Sequence, residues 1–83
     1  KNIYPEELEL ELMNIDGITE CMVYEENHLL TAEIYSDSQI NEVEITVGIH
    51  DLNRSLPIYK QIASIKFRKD EFEKTTTKKI KRR

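Results

Sequence analysis

The sequence predicts an α+β fold: a small three-stranded sheet, with a possible short hairpin at the end of the chain, packed with two main helices. Three observations carry this. Three short runs rich in β-branched and aromatic residues, Cys21 to Tyr24, Leu29 to Tyr35 and Ile62 to Arg68, read as strands. Two segments, one opening at Pro5 and one running from Gln39 to Ser55, carry apolar residues at helical spacing. At 83 residues and 39% hydrophobic content, the chain fits one domain that buries roughly two-thirds of its unfolded surface. So thin a core leaves little room for a ligand-sized pocket walled by its own residues, and a site here calls for a second surface.

Pro5 followed by Glu6 and Glu7 reads as the first turn of a helix, because proline is pre-organised there and carboxylates suit the positive end of the helix dipole. Tyr4, Leu8 and Leu12 then share a face, and Asp16-Gly17 ends the helix in a turn. The stretch from Glu7 to Leu12 also alternates as a strand would, but Glu and Leu are good helix formers. The first two strands form an antiparallel hairpin whose loop is expected at Glu25-Glu26-Asn27-His28. Ser36-Asp37-Ser38 offers helix caps. The segment that follows has an ambiguous period: Val43, Ile45, Val47 and Ile49 alternate, whereas Ile45, Ile49, Leu52 and Leu56 fit a helix. Helix is the reading adopted, weakened by Gly48. Pro57 opens a short turn or helical piece through Tyr59 and Lys60, and the third strand places Ile65 and Phe67 on one face.

Charge is divided along the chain. The net charge is −4, yet residues 1 to 53 hold thirteen acids against Lys1, and residues 54 to 83 hold eleven bases against three acids. The last ten residues carry six cations and no acid, a density that marks a solvated tail or an anion-binding segment. No aromatic residue interleaves this cluster to stack a base, which argues against nucleic acid as a partner. Cys21 has no second cysteine and His28 and His50 stand alone, so no metal site is expected. Glu6, Glu7, Glu9 and Glu11 read as a wet helix face, Cys21 as inert core, and Tyr4, Tyr24, Tyr35, Tyr59, Phe67 and Phe72 as packing residues. No apolar run approaches the roughly 20 residues that span a bilayer and nothing resembles a signal peptide, so a cytoplasmic location is expected, with peripheral membrane contact through the basic tail left open.

Three stretches match one family pattern in order: Asn2-Ile3-Tyr4-Pro5-Glu6-Glu7-Leu8-Glu9, then Leu52-Asn53-Arg54-Ser55-Leu56-Pro57-Ile58-Tyr59-Lys60, then Phe72 to Arg82, which contains Lys74-Thr75-Thr76-Thr77-Lys78-Lys79-Ile80-Lys81-Arg82. Together they resemble the C-terminal domain of the AMP-forming acyl-CoA synthetases, in particular the long-chain fatty acid CoA ligase branch, over residues 1–83. The resemblance implies a reaction in two halves: a carboxylate attacks the α-phosphate of ATP to give an acyl-adenylate, and the CoA thiol then attacks the adenylate, with the small domain swinging between them. It implies that Lys79 is catalytic, the mobile lysine of the adenylation half, and that Lys1, Asn2 and Ile3 are the remnant of the loop lining the CoA channel. It implies ATP, Mg2+, CoA and a fatty acid as substrates or ions of the full-length enzyme, and the large N-terminal domain of the same polypeptide as partner. The family has glycine immediately before the mobile lysine and this chain has Lys78, which leaves Lys78 as a competitor for the role. The hinge, phosphate loop and magnesium ligand of the family have no counterpart in these 83 residues, so the piece is expected to be inactive alone. The alternative is a non-catalytic interaction module whose basic tail binds an anionic surface.

Overall fold

A computed structural model describes residues 2–37, 41–77 and 79–80. Helix α1 spans Pro5–Leu12 with proline at its start and Glu6 and Glu7 in its first turn. Strands β1 (Glu20–Glu26) and β2 (Leu29–Tyr35) form an antiparallel hairpin. Helix α2 (Glu42–Arg54) and a 3-10 turn (Ile58–Lys60) then lead to β3 (Ser64–Arg68), which pairs parallel to β2. The sheet order is β1-β2-β3. The parallel pair requires a crossover, and α2 supplies it.

Several local expectations change. Glu25 and Glu26 belong to β1 rather than to the loop: the connection narrows to Asn27-His28, at φ 52° and 66°, the left-handed pair that a two-residue hairpin demands. Helix α2 starts at Glu42, and its cap is Asn41, whose side chain accepts from the Glu44 N–H at 2.9 Å; the caps expected at Ser36 and Asp37 are not used, and Ser38 lies outside the described residues. The ambiguous segment is helical: Ile45 and Ile49 are buried with Leu52 and Leu56 packed against the same core, whereas Val43 and Val47, which a strand would turn to the same face, are exposed. The last strand begins at Ser64 rather than Ile62.

Cross-strand register divides the sheet into two unlike faces. Cys21, Val23, Ala32 and Ile34 point to the helices and join Leu8, Leu12, Ile45, Ile49 and Ile62 in the core, with Ile65 and Phe67 packed against it. The opposite face carries Glu20, Met22, Tyr24, Glu33, Lys66 and Arg68. Met22 and Phe72 are buried apart from the main core cluster.

Gly48 has a packing reason. A Cβ there would meet Ile15 Cγ2 at 2.7 Å, so α2 lies against the turn after α1 closer than any side chain permits. Gly48→Ala gains helix propensity of up to about 1 kcal/mol but overpacks this contact, at a cost of about 1–3 kcal/mol. A net loss of about 1 kcal/mol is expected from urea denaturation, and a gain in stability would show that Ile15 yields freely.

Candidate functional site

The motif expected to carry catalysis sits in a hairpin past β3. Lys74 and Ile80 form an antiparallel bridge, and the Thr75 N–H donates to the Lys79 carbonyl at 2.7 Å. This is the short terminal hairpin the sequence allowed. Lys79 is exposed, and among the described residues its ammonium has no hydrogen bond or ion pair. Lys78 and residues 81–83 lie outside the described residues.

What holds this hairpin is polar. Glu20, at the start of β1, accepts from the Phe72 N–H at 3.0 Å through Oε1 and from Lys74 Nζ at 2.5 Å through Oε2. Lys74 also reaches Glu71 Oε1 and the Phe72 carbonyl, each at 3.3 Å. A second carboxylate, Glu33 at the centre of the sheet, is buried. It accepts from the Tyr24 hydroxyl at 2.6 Å and from Arg68 Nη1 at 2.6 Å. Arg68 also donates through Nε to the Asp70 carbonyl and through Nη2 to the Glu71 carbonyl, and its Cζ lies 4.2 Å from the centre of the Phe72 ring. Every charge on this face that leaves water is paired, as burial requires.

Burial alone would raise the Glu20 carboxyl pKa; the hydrogen bond from Lys74, the Phe72 N–H and the positive charges of Lys74 and Arg68 outweigh it, and the net direction is down. The Lys74 ammonium is held above its ordinary value, first by its hydrogen bond to Glu20.

The other expected residues lie elsewhere. Asn2 is exposed, with its amide nitrogen 3.2 Å from the Tyr4 hydroxyl. Ile3, 37% exposed, borders a groove of about 470 Å³ shared with Pro5, Tyr24, Glu25, His28, Leu29, Ile58 and Tyr59. Lys1 lies outside the described residues. The terminal hairpin borders a different groove: Ile80 lies beside Glu6, Leu10, Met13, Glu20 and Cys21, so Ile80 and Ile3 line separate depressions.

Three expectations are corrected. Glu9 is not simply part of a wet face: its Oε2 accepts from the Val23 N–H at 2.7 Å, occupying a donor on the free edge of β1. Tyr4 and Tyr59 are 54% and 39% exposed and so are not core packing residues. Tyr24 keeps its ring partly covered while its hydroxyl serves Glu33. Asn53, inside the second family stretch, clamps the Ile62 backbone, accepting from its N–H at 2.8 Å and donating to its carbonyl at 2.9 Å. Its neighbourhood is completed by Gln61, which donates to the carbonyls of Asn53 and Leu56, closing the end of α2. Glu20, Glu33 and Asn53 were missed as organising residues, because their partners are 35 or more positions away for the ion pairs or hidden by the turn for Asn53; the sequence signal was an acid inside a strand for Glu33, while Glu20 fell just before the strand read from Cys21. Among the described residues no group of three or more His, Cys, Asp or Glu is arranged to hold a metal, and no helix is long and apolar enough to cross a membrane.

This arrangement, two helices against a three-stranded mixed sheet, is the fold of the small C-terminal domain of the adenylate-forming enzymes. Among solved structures the chain is similar to apo MatB from Rhodopseudomonas palustris, with TM-score 0.76 and 26% identity over 98% of this chain and 17% of that one. It is similar to an ATP-bound RpMatB–BxBclM chimera, with TM-score 0.79 and 22% identity over 96% of this chain and 17% of that one. A Mycobacterium tuberculosis fatty acyl CoA synthetase matches with TM-score 0.72 and 22% identity over 96% of this chain and 16% of that one. The chain thus resembles the C-terminal domain of AMP-forming acyl-CoA synthetases and spans a small part of the length of the proteins it matches. No family model matches it, and neither does any curated protein.

The titration of Glu20 can be checked directly. Because its folded-state pKa is lowered, its contribution to stability is fully present above the ordinary glutamate value and is lost as pH falls through the lower, folded value. The raised pKa of Lys74 works in the other direction: its contribution is present below the ordinary lysine value and lost as pH rises through the raised one. An NMR titration of the Glu20 carboxyl carbon is expected to show a midpoint below 4.5, the value of a free glutamate, with the Phe72 amide resonance moving in the same acid range. A midpoint at or above that value would mean that burial outweighs the two bonds.

Proposed function

We propose that this chain is the C-terminal domain of a fatty acid CoA ligase, and that Lys79 is its adenylation lysine. In this reading the partner is the large N-terminal domain of the same polypeptide, which binds ATP with Mg2+ and the fatty acid; CoA enters in the second half-reaction, and the 83-residue piece alone is inactive. A carboxylate oxygen of the acid bonds to the α-phosphorus of ATP, and the bond to pyrophosphate breaks. Negative charge builds on the phosphoryl oxygens as it does so. An ammonium brought against those oxygens lowers the barrier without entering any covalent step, and a lysine on a flexible stem is suited to arrive as a movable point charge.

The observation that carries this reading is the presentation of Lys79. Its main chain is fixed in a hairpin bonded to the sheet through Glu20, while its side chain is exposed and, among the described residues, has no competing carboxylate. A second observation supports a domain with two working faces. Ile3, read with Lys1 and Asn2 as the remnant of the CoA-channel loop, lines a groove separate from the one that Ile80 of the hairpin borders. Two separate surfaces suit a small domain that turns between half-reactions.

In the full-length polypeptide, Lys79→Ala is expected to lower fatty-acid-dependent pyrophosphate exchange by about a hundredfold, the scale of removing one electrostatic stabiliser. Thioester formation from supplied acyl-adenylate should continue. If exchange persists in Lys79→Ala and collapses in Lys78→Ala, the neighbouring lysine holds the role; if neither variant changes it, the non-catalytic module with an anion-binding tail is the better description.

A further inference from the structure

We propose that Glu20 is a positioning residue for Lys79, acting by fixing the root of the hairpin that carries it. This rests on the reading of Lys79 as the adenylation lysine and goes beyond it, by naming what keeps that lysine in register.

Apolar packing at the root is slight. Among the described residues Phe72, 5% exposed, is the last buried side chain; residues 73–77 and 79 are exposed, and Ile80 is partly covered beside Leu10, Met13 and Cys21. Short hairpins in water are marginal without a packed face, and inside this one the described bonds are Thr75 N–H to the Lys79 carbonyl and the Thr75 and Thr77 hydroxyls 2.9 Å apart. The root is anchored instead by one carboxylate using both oxygens. Oε1 takes the main chain at Phe72, and Oε2 takes the side chain of Lys74, the residue whose backbone pairs with Ile80. Lys79 is thus tied to β1 through three consecutive links: Glu20 to Lys74, the strand pair Lys74–Ile80, and the Thr75–Lys79 bond. The Glu20 side chain is 15% exposed and that of Lys74 is 31% exposed, so water competes less with this pair than with the freely exposed one between Arg54 and Asp51.

The geometry matters for catalysis because a charge displaced by about 1 Å can lose a hundredfold in rate. A hairpin freed at its root keeps Lys79 in the molecule but spreads it over many positions. The loss then appears in kcat for adenylation rather than in the KM for ATP or acid, since the substrates bind the large domain.

The test compares Glu20→Ala, Glu20→Gln, Lys79→Ala and the Glu20→Ala/Lys79→Ala double variant in the full-length protein. Hydrogen exchange of peptides covering residues 72–77 is measured beside one covering β2, together with kcat and KM for pyrophosphate exchange. Glu20→Ala is expected to speed exchange at Phe72 and Thr75 about tenfold without affecting β2, and to lower kcat about tenfold with KM little changed. Glu20→Gln, which can still accept from the Phe72 N–H, should fall between wild type and Glu20→Ala on both readouts. The double variant should be no slower than Lys79→Ala alone. Unchanged exchange at Thr75, equal acceleration in β2, or losses that multiply in the double variant would overturn the positioning role while leaving the Lys79 reading standing. If Lys79→Ala itself leaves adenylation intact, the functional reading falls and the positioning role with it, whatever Thr75 exchange shows of the tether.

Discussion

Two carboxylates on the helix-free face of the sheet organise the last third of the chain. Glu33 is almost fully buried at the sheet centre and Glu20 is mostly covered at its edge, and neither can give up water without a cation and hydrogen-bond donors in exchange. Arg68 and Lys74 are those cations. Because Arg68 ends β3 and Lys74 starts the terminal hairpin, pairing them forces the chain to cross this face between the two, laying Phe72 under the Arg68 guanidinium. The lopsided charge of the sequence, acids early and bases late, thus has a structural meaning: part of it is cancelled inside the molecule, between strands laid down first and a segment laid down last.

That arrangement separates what must be rigid from what must be free. The helix-covered face supplies the apolar core, in which Leu12, Val23, Ala32, Ile34 and Ile49 are wholly excluded from solvent. The opposite face supplies a polar seat for the hairpin. On this seat the main chain of Lys79 is held while its ammonium is left to solvent, the combination wanted of a charge that works on a second surface. The groove beside Ile3 is separate from the one that Ile80 borders, so the proposed function draws on two surfaces of the domain.

Much of the architecture was legible in the sequence. Three strands, read at 21–24, 29–35 and 62–68 and found at 20–26, 29–35 and 64–68, and the helix led by Pro5 follow from local chemistry, and helix α2 was recovered despite its alternating Val and Ile residues because Leu52 and Leu56 extend the helical period. What could not be read are features that depend on distant partners. The close approach that demands Gly48 comes from Ile15; the sequence offered only a weak helix position. Glu9 looked like its exposed neighbours, and only the placement of α1 against β1 turns it toward the Val23 N–H. Glu25 and Glu26 looked like loop residues because they are charged, but a two-residue turn with left-handed backbone at Asn27 and His28 lets the strand run through them. In the candidate site, the motif around Lys79 was visible as a pattern, whereas Glu20 was not, since its partners lie 52 and 54 positions away.

The most direct measurement is a crystal structure of the full-length polypeptide bound to a non-hydrolysable acyl-adenylate analogue in the adenylation state. The expected result is Lys79 Nζ within about 3 Å of the carboxylate or phosphate oxygens of the analogue, with the Glu20–Lys74 pair intact behind it. Lys78 in that position, or a hairpin turned away with no lysine at the phosphate, would contradict the assignment of Lys79.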